Sequence, residues 1–161
     1  MLKKSIIIFA FLFIAVNAQE KIDFTAKTLK GKKIKLSEYY QDGPVLVSFW
    51  ALWCQPCRKE MTKLNSIYKK YKEKGFNIIG VNLDSPRSAS KVKSYVVSHK
   101  IKFPIVKDPE KEIFRQFNGQ SIPLLFLLNK SGEIVKTHIG YVPGDEKKLE
   151  LEIIDLLGAE N

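Results

Sequence analysis

Cys54 and Cys57 are the only cysteines in this chain of 161 residues, and Gln55-Pro56 is all that separates them. Two thiols at that spacing suit a reversible disulfide, in which one sulfur attacks and the other resolves. A static bridge is the competing reading. It would close so short a loop that it restrains the unfolded chain little, so stability is a poor reason to keep it. The flanking residues say what must hold the pair. Val45-Leu-Val-Ser-Phe-Trp50 is apolar and rich in β-branched and aromatic residues, the pattern of a buried strand. After the cysteines, Met61, Leu64, Ile67, Tyr68 and Tyr71 recur at three- and four-residue steps, one face of a helix. The strand therefore brings Cys54 to its C-terminal edge, and Cys57 lies one turn inside the helix. The first N–H groups of a helix lack intrahelical partners, and its aligned dipoles put positive partial charge there. A thiolate in that field drops from a pKa of about 8.5 to between about 3.5 and 7.5. Pro56 fits the first turn, where a missing N–H costs little.

Trp53-Cys54-Gln55-Pro56-Cys57-Arg58, following Phe49-Trp50-Ala51, resembles the active-site segment of the thioredoxin superfamily. With Glu60 included, the pattern is similar to the TlpA/ResA-like branch of exported thiol-disulfide oxidoreductases. The likeness continues through Val81-Asn82-Leu83-Asp84, Phe103-Pro104-Ile105-Val106, Asp108-Pro109, Ile122-Pro123 and Phe126-Leu-Leu-Asn-Lys-Ser-Gly132, roughly residues 21–157. It implies an α/β, thioredoxin-like fold: a central mixed β-sheet flanked by helices, with an N-terminal β-hairpin and an inserted helix/strand segment. It further implies a protein-disulfide reductase that needs no metal and no cofactor beyond the Cys54–Cys57 disulfide. The partners would be protein thiols and disulfides, with a membrane or exported electron donor and no nucleic acid, and the protein would act as a monomer. An X-Pro bond is trans by default, but the resemblance makes Ile122–Pro123 a cis bond facing the cysteines. Ile122 and Pro123, with Trp53 as an aromatic ledge, would then hold an extended client by strand addition.

The sequence also departs from the pattern. Ser48 stands six residues before Cys54, where thioredoxins place a buried acid, and a hydroxyl is a poor general base. Asp84, at the end of the second strand, becomes the candidate for taking the proton from Cys57. Thr62 replaces the proline that kinks the first helix in relatives, so a straighter helix is expected. Arg58 and Lys59 read as solvated first-turn residues, Phe49 and Trp50 as core, and Glu60 as pointing away from Cys54 with no role.

At the N-terminus, Lys3 and Lys4 precede an apolar run over residues 6–16, and Val16-Asn17-Ala18 offers small residues where a signal peptidase reads. We expect a signal peptide over residues 1–18, a thioredoxin-like domain over 19–161 and an exported, periplasmic protein. An uncleaved N-terminal membrane anchor is the alternative, although the run falls short of the roughly 20 residues a span needs. The net charge of +10 is spread as lysines along solvated faces, with neither a basic patch nor a nucleic-acid-binding motif.

Between these ends, a hairpin of residues 22–28 and 33–36 is expected to precede a helical turn at 37–40, the strand at 45–50 and the helix at 55–74. A parallel strand at 76–83, a helix to about residue 100, a short strand at 103–106 and a helix from Asp108 to Asn118-Gly119 come next. A hairpin of residues 124–128 and 133–139 leads to a closing amphipathic helix at 146–157. Two other functions fit the same cysteines. Copper held by both thiolates and a histidine is one, since soft thiolates suit Cu(I), but nothing in the spacing brings His99 or His138 to them. A peroxidase of the peroxiredoxin type is the other; it would want Thr or Ser at position 51 and Pro at 47, where this chain has Ala51 and Val47.

Overall fold

A computed structural model describes residues 21–159; the expected signal peptide lies outside them. No helix among the described residues is long and apolar enough to cross a membrane.

The buried run is strand β3, Val45–Trp50, as expected, with all six residues buried. A strand covered on both faces reads as a continuous apolar run rather than an alternation. It lies at the centre of a five-stranded sheet of order β5-β4-β3-β6-β7. Here β4 is Asn77–Asn82, β5 is Ile105–Lys107, β6 is Leu124–Leu128 and β7 is Ile134–Ile139. The β3–β4 and β4–β5 pairs are parallel, whereas β3–β6 and β6–β7 are antiparallel, so the sheet is mixed. The N-terminal hairpin, β1 at Thr25–Lys27 and β2 at Lys33–Lys35, forms its own two-stranded sheet. Its turn is tied to the edge of β5 by Leu29 N–H donating to Ile105 C=O at 2.9 Å.

Because side chains alternate across a strand, β3 feeds two cores. Leu46 and Trp50 join Met61, Leu64, Ile78, Leu125, Leu149 and Ile153 on one side. That layer is roofed by α2, Gln55–Tyr71, and α5, Asp145–Ala159. Val45, Val47 and Phe49 face the other side, with Phe24, Leu36, Phe114 and Phe126. There the Phe49 ring meets Phe114 and Phe117 edge-on at 5.2 and 5.3 Å, a favoured aromatic geometry.

Several boundaries differ from the sequence reading, among them the first hairpin strand, expected at 22–28 and found at Thr25–Lys27; for the following three the reason is hydrogen bonding or backbone geometry. Helix α1 runs over seven residues, Leu36–Asp42, rather than a single turn. Asp23, fourteen positions upstream, accepts the Ser37 N–H at 3.0 Å and meets a first-turn donor that would otherwise be orphaned. The last helix before β6 is shorter than expected: α4 covers Glu112–Gln116. The Asp108 carboxylate is spent on the Phe114 N–H at 2.8 Å, and Lys111 takes a left-handed φ of 57°, so residues 108–111 form a turn rather than a first helical turn. The strand expected at 103–106 begins two residues later, at Ile105: Ile101 N–H turns back to the Val96 C=O, and Pro104 has no N–H to give to a ladder. Helix α2 passes Thr62 without a break and ends in a 3₁₀ turn, Lys72–Lys74, closed by Gly75 at φ 93°. The helix expected to reach about residue 100 is α3, Ala89–Ser98; only Val92 of its apolar residues is fully buried.

Candidate active site

Past Trp50 the chain turns sharply: Cys54 N–H donates to Ala51 C=O at 3.2 Å, and Leu83 N–H to Trp50 C=O at 2.9 Å. Cys54 is the N-cap of α2 in extended conformation, and its Sγ accepts the Cys57 N–H at 3.3 Å. The two cysteines form a disulfide with their Cα atoms 5.3 Å apart. Cys54 thus sits in the field of a helix of 17 residues rather than of an isolated turn, which is the physical basis for an acidic thiol. Access is narrower than the sequence reading expects. The oxidised pair packs into the core beside Trp50 and Ala51, leaving Cys54 only 6 % exposed and Cys57 wholly covered. The asymmetry persists: whatever reaches the bridge meets Cys54 first. Gln55 and Pro56 stand exposed above it, and Trp53 is 68 % exposed.

Asp84 is bound to the loop before the cysteines: its Oδ2 accepts the Leu52 N–H at 2.7 Å and an Asn82 side-chain N–H at 2.8 Å, which holds the chain two residues ahead of Cys54. Asp84→Ala would leave the buried Asn82 side-chain N–H and the half-buried Leu52 N–H without this acceptor, and we expect a loss of about 2 kcal/mol in a urea titration. Tyr95 fixes the other flank. Its hydroxyl donates to Arg58 C=O at 3.1 Å, clamping α3 against the first turn of α2.

Glu60, left without a role by the sequence reading, is buried: it lies three residues beyond Cys57, where helical side chains are neighbours, and it is 3 % exposed. Its Oε2 has no hydrogen-bond partner among the described residues. Burial, with the nearby Asp145 adding to it, pushes its carboxyl up to about 8, so it is largely protonated at neutral pH. A cavity of about 260 Å³ opens over it, lined also by Leu125, His138, Ile139, Tyr141 and Glu146. In the same wall Glu146 is held down at about 2 by backbone N–H groups at Gly144 and at its own position, together with the Tyr141 hydroxyl. The signal for Glu60 is present in the sequence. The stripe Cys57, Met61, Leu64 places position 60 on its buried side, and a carboxylate there has no solvent.

Ile122–Pro123 is a cis peptide, as the resemblance implies. Pro123 is buried just before β6, and its carbonyl accepts the Gly140 N–H at 2.8 Å. Since Leu124 pairs with Phe49, Pro123 stands one position on, level with the end of β3 where the turn to Cys54 begins. The half-buried Ile122 packs against both cores. The histidines go elsewhere. His138 Nε2 lies 2.7 Å from Glu152 Oε2, and His99 stacks on Tyr95 with ring centroids 4.0 Å apart. Among the described residues no group of three or more His, Cys, Asp or Glu is placed to hold a metal. Ser48 is fully buried in β3 and its hydroxyl has no partner among the described residues.

Residues 18–137 match the AhpC/TSA family. Over 134 residues the chain is 37% identical to the thiol-disulfide oxidoreductase ResA of Bacillus thuringiensis subsp. konkukian, covering 83% of this chain and 73% of that one. Among solved structures, StoA from Bacillus subtilis superposes with a TM-score of 0.68 at 30% identity, over 82% of this chain and 96% of StoA. A thiol:disulfide interchange protein of the thioredoxin family from Chlorobium tepidum TLS gives a TM-score of 0.74 at 25% identity, over 84% of this chain and 94% of its own.

Proposed function

The chain belongs to the AhpC/TSA family and, within it, to the ResA-like thiol-disulfide oxidoreductases, and on that premise we propose that it is an exported reductant of protein disulfides working through Cys54 and Cys57. The observation that carries the reading is the disulfide at the N-cap of α2, with its more accessible sulfur in the field of the helix. In the reduced protein, Cys54 thiolate attacks one sulfur of a client disulfide. A Cys54–client bond forms, and the client's other sulfur leaves as a thiolate. Cys57, once deprotonated, attacks Cys54 Sγ; the mixed disulfide breaks, the second client thiolate leaves, and the Cys54–Cys57 bridge closes. Two electrons have passed to the client, and an exported or membrane donor of thiol electrons restores the dithiol. Glu60 is the group we assign to the Cys57 proton: it is one turn away and shielded from water, and with its pKa raised to about 8 its ionised fraction is a stronger base than an ordinary carboxylate.

Gln55 and Pro56 shape the bridge, while Trp53, Ile122 and Pro123 form the client ledge. Trp53→Ala should therefore raise KM about three- to tenfold with kcat little changed, and shift stability by less than about 0.5 kcal/mol, as surface substitutions do. Direction rests on the potential. Pairs of this spacing span about −270 to −120 mV, and 30 mV is about 1.4 kcal/mol. Gln55-Pro56 offers no histidine to stabilise the thiolate further, which favours the reducing end. The leader-like residues 1–18, with cleavage after Ala18, support export to the periplasm. Equilibrating the pair against glutathione, with its redox state in cells read by thiol trapping, tests the reading. A potential near the thioredoxin end and a reduced pair in vivo support it. A pair found oxidised in cells at an oxidant's potential overturns the reductant assignment.

A further inference from the structure

A second recess, of about 230 Å³, lies between the β1–β2 hairpin, α1 and the segment joining α3 to β5, and it shares no lining residue with the cavity over Glu60. Its floor is apolar: Ile34, Val96, Phe103 and Ile105 line it, and Ile34, Phe103 and Ile105 are only 2 %, 3 % and 3 % exposed. Lys30, Lys32 and Lys102 stand exposed on its rim, and no Asp or Glu lines it. None of the three lysines belongs to an ion pair among the described residues.

We propose that this recess binds a free medium-chain carboxylate, its head on the lysine rim and its chain on the apolar floor. Charge complementarity sets the sign of the head: three cations meet there with no anion to answer them. Size sets the chain: at roughly 30 Å³ for each small group in a liquid, the recess takes about eight carbons. Its shape sets the occupant apart from a membrane surface, because lipid docking wants apolar side chains that stand out, and here they are sunk below the lysines. An unbroken acidic peptide would need an open strip, whereas three elements wall this recess in. Each methylene buried is worth about fourfold in affinity.

Calorimetric titration of the oxidised full chain with decanoate, octanoate and decyltrimethylammonium tests this. Decanoate should bind one to one, no more than about fourfold more tightly than octanoate because the recess takes about eight carbons of chain, and the cation should show no saturable binding. Lys30→Glu combined with Lys102→Glu, both at exposed positions, should weaken decanoate at least tenfold with an unchanged melting midpoint. Val96→Trp, which fills the floor, should abolish binding if its melting midpoint is preserved. Equal binding of the cationic and anionic chains overturns the proposal, as does absence of saturable decanoate binding. Binding to vesicles of phosphatidylglycerol and phosphatidylcholine that is lost in the double-lysine variant, without decanoate binding, assigns the face to a membrane and overturns it too.

Discussion

Cys57→Ser should convert the protein into a trap: client proteins accumulate on Cys54 as mixed disulfides, and catalytic turnover is lost. The expectation follows from where the two sulfurs lie. Cys54 caps α2 and receives the Cys57 N–H, and that donor is backbone, so it survives the substitution. The helix field on Cys54 is therefore kept. That field lowers the thiol's pKa and raises the share present as thiolate at neutral pH. First attack is thus preserved or faster in the variant, whereas the second attack has no sulfur. Cys54→Ser should behave in the opposite way. Cys57 is wholly covered, so a client disulfide cannot reach it and little should be trapped. Non-reducing gels of extracts expressing each variant, with trapped bands released by dithiothreitol, read the difference directly. Equal trapping by the two variants would reverse or abolish the assigned order.

The Val45–Trp50 strand, the helix that follows and the closing helix are legible in the sequence because each has a strong period or a continuous buried run, which are local properties. The Cys54–Cys57 chemistry is legible because type and spacing specify it. What escapes depends on partners far along the chain. Asp23 caps α1 from fourteen positions away, and Asp84 reaches back thirty-two positions to Leu52, so neither role has a local signature. Glu60 is the instructive case. Its place beside the Cys57, Met61, Leu64 stripe, in the second turn of α2, is readable, but how far it is covered depends on β6, β7 and the start of α5, which lie over that turn. Cys54 illustrates the same limit, since strand and helix fix its place but tertiary packing decides how much of it remains exposed.

Glu60→Gln should flatten the pH dependence of stability and remove one step from the pH dependence of disulfide exchange. A carboxyl whose pKa is about 8 in the folded chain and near 4.5 in the unfolded one keeps a proton that the unfolded state has already released between those values. Unfolding then releases a proton, so stability falls as pH rises from about 4.5 to about 8. At about 1.4 kcal/mol for each pH unit crossed, the loss over that window amounts to several kcal/mol. Glutamine is close in shape and does not titrate. The variant should match the wild type near pH 5, where Glu60 is neutral, and should exceed it by a few kcal/mol at pH 9 in urea titrations of the oxidised protein. Activity should move the other way. With the proton acceptor gone, closure of the bridge by Cys57 should slow about a hundredfold or more, the usual worth of a positioned acid–base group. The rate of bridge closure in the wild type should show the titration of Glu60 near pH 8 as an inflection, and in the variant that inflection should be gone. An unchanged stability slope in Glu60→Gln would mean that this carboxyl titrates normally in the fold. The proton on Cys57 would then have to leave by another route.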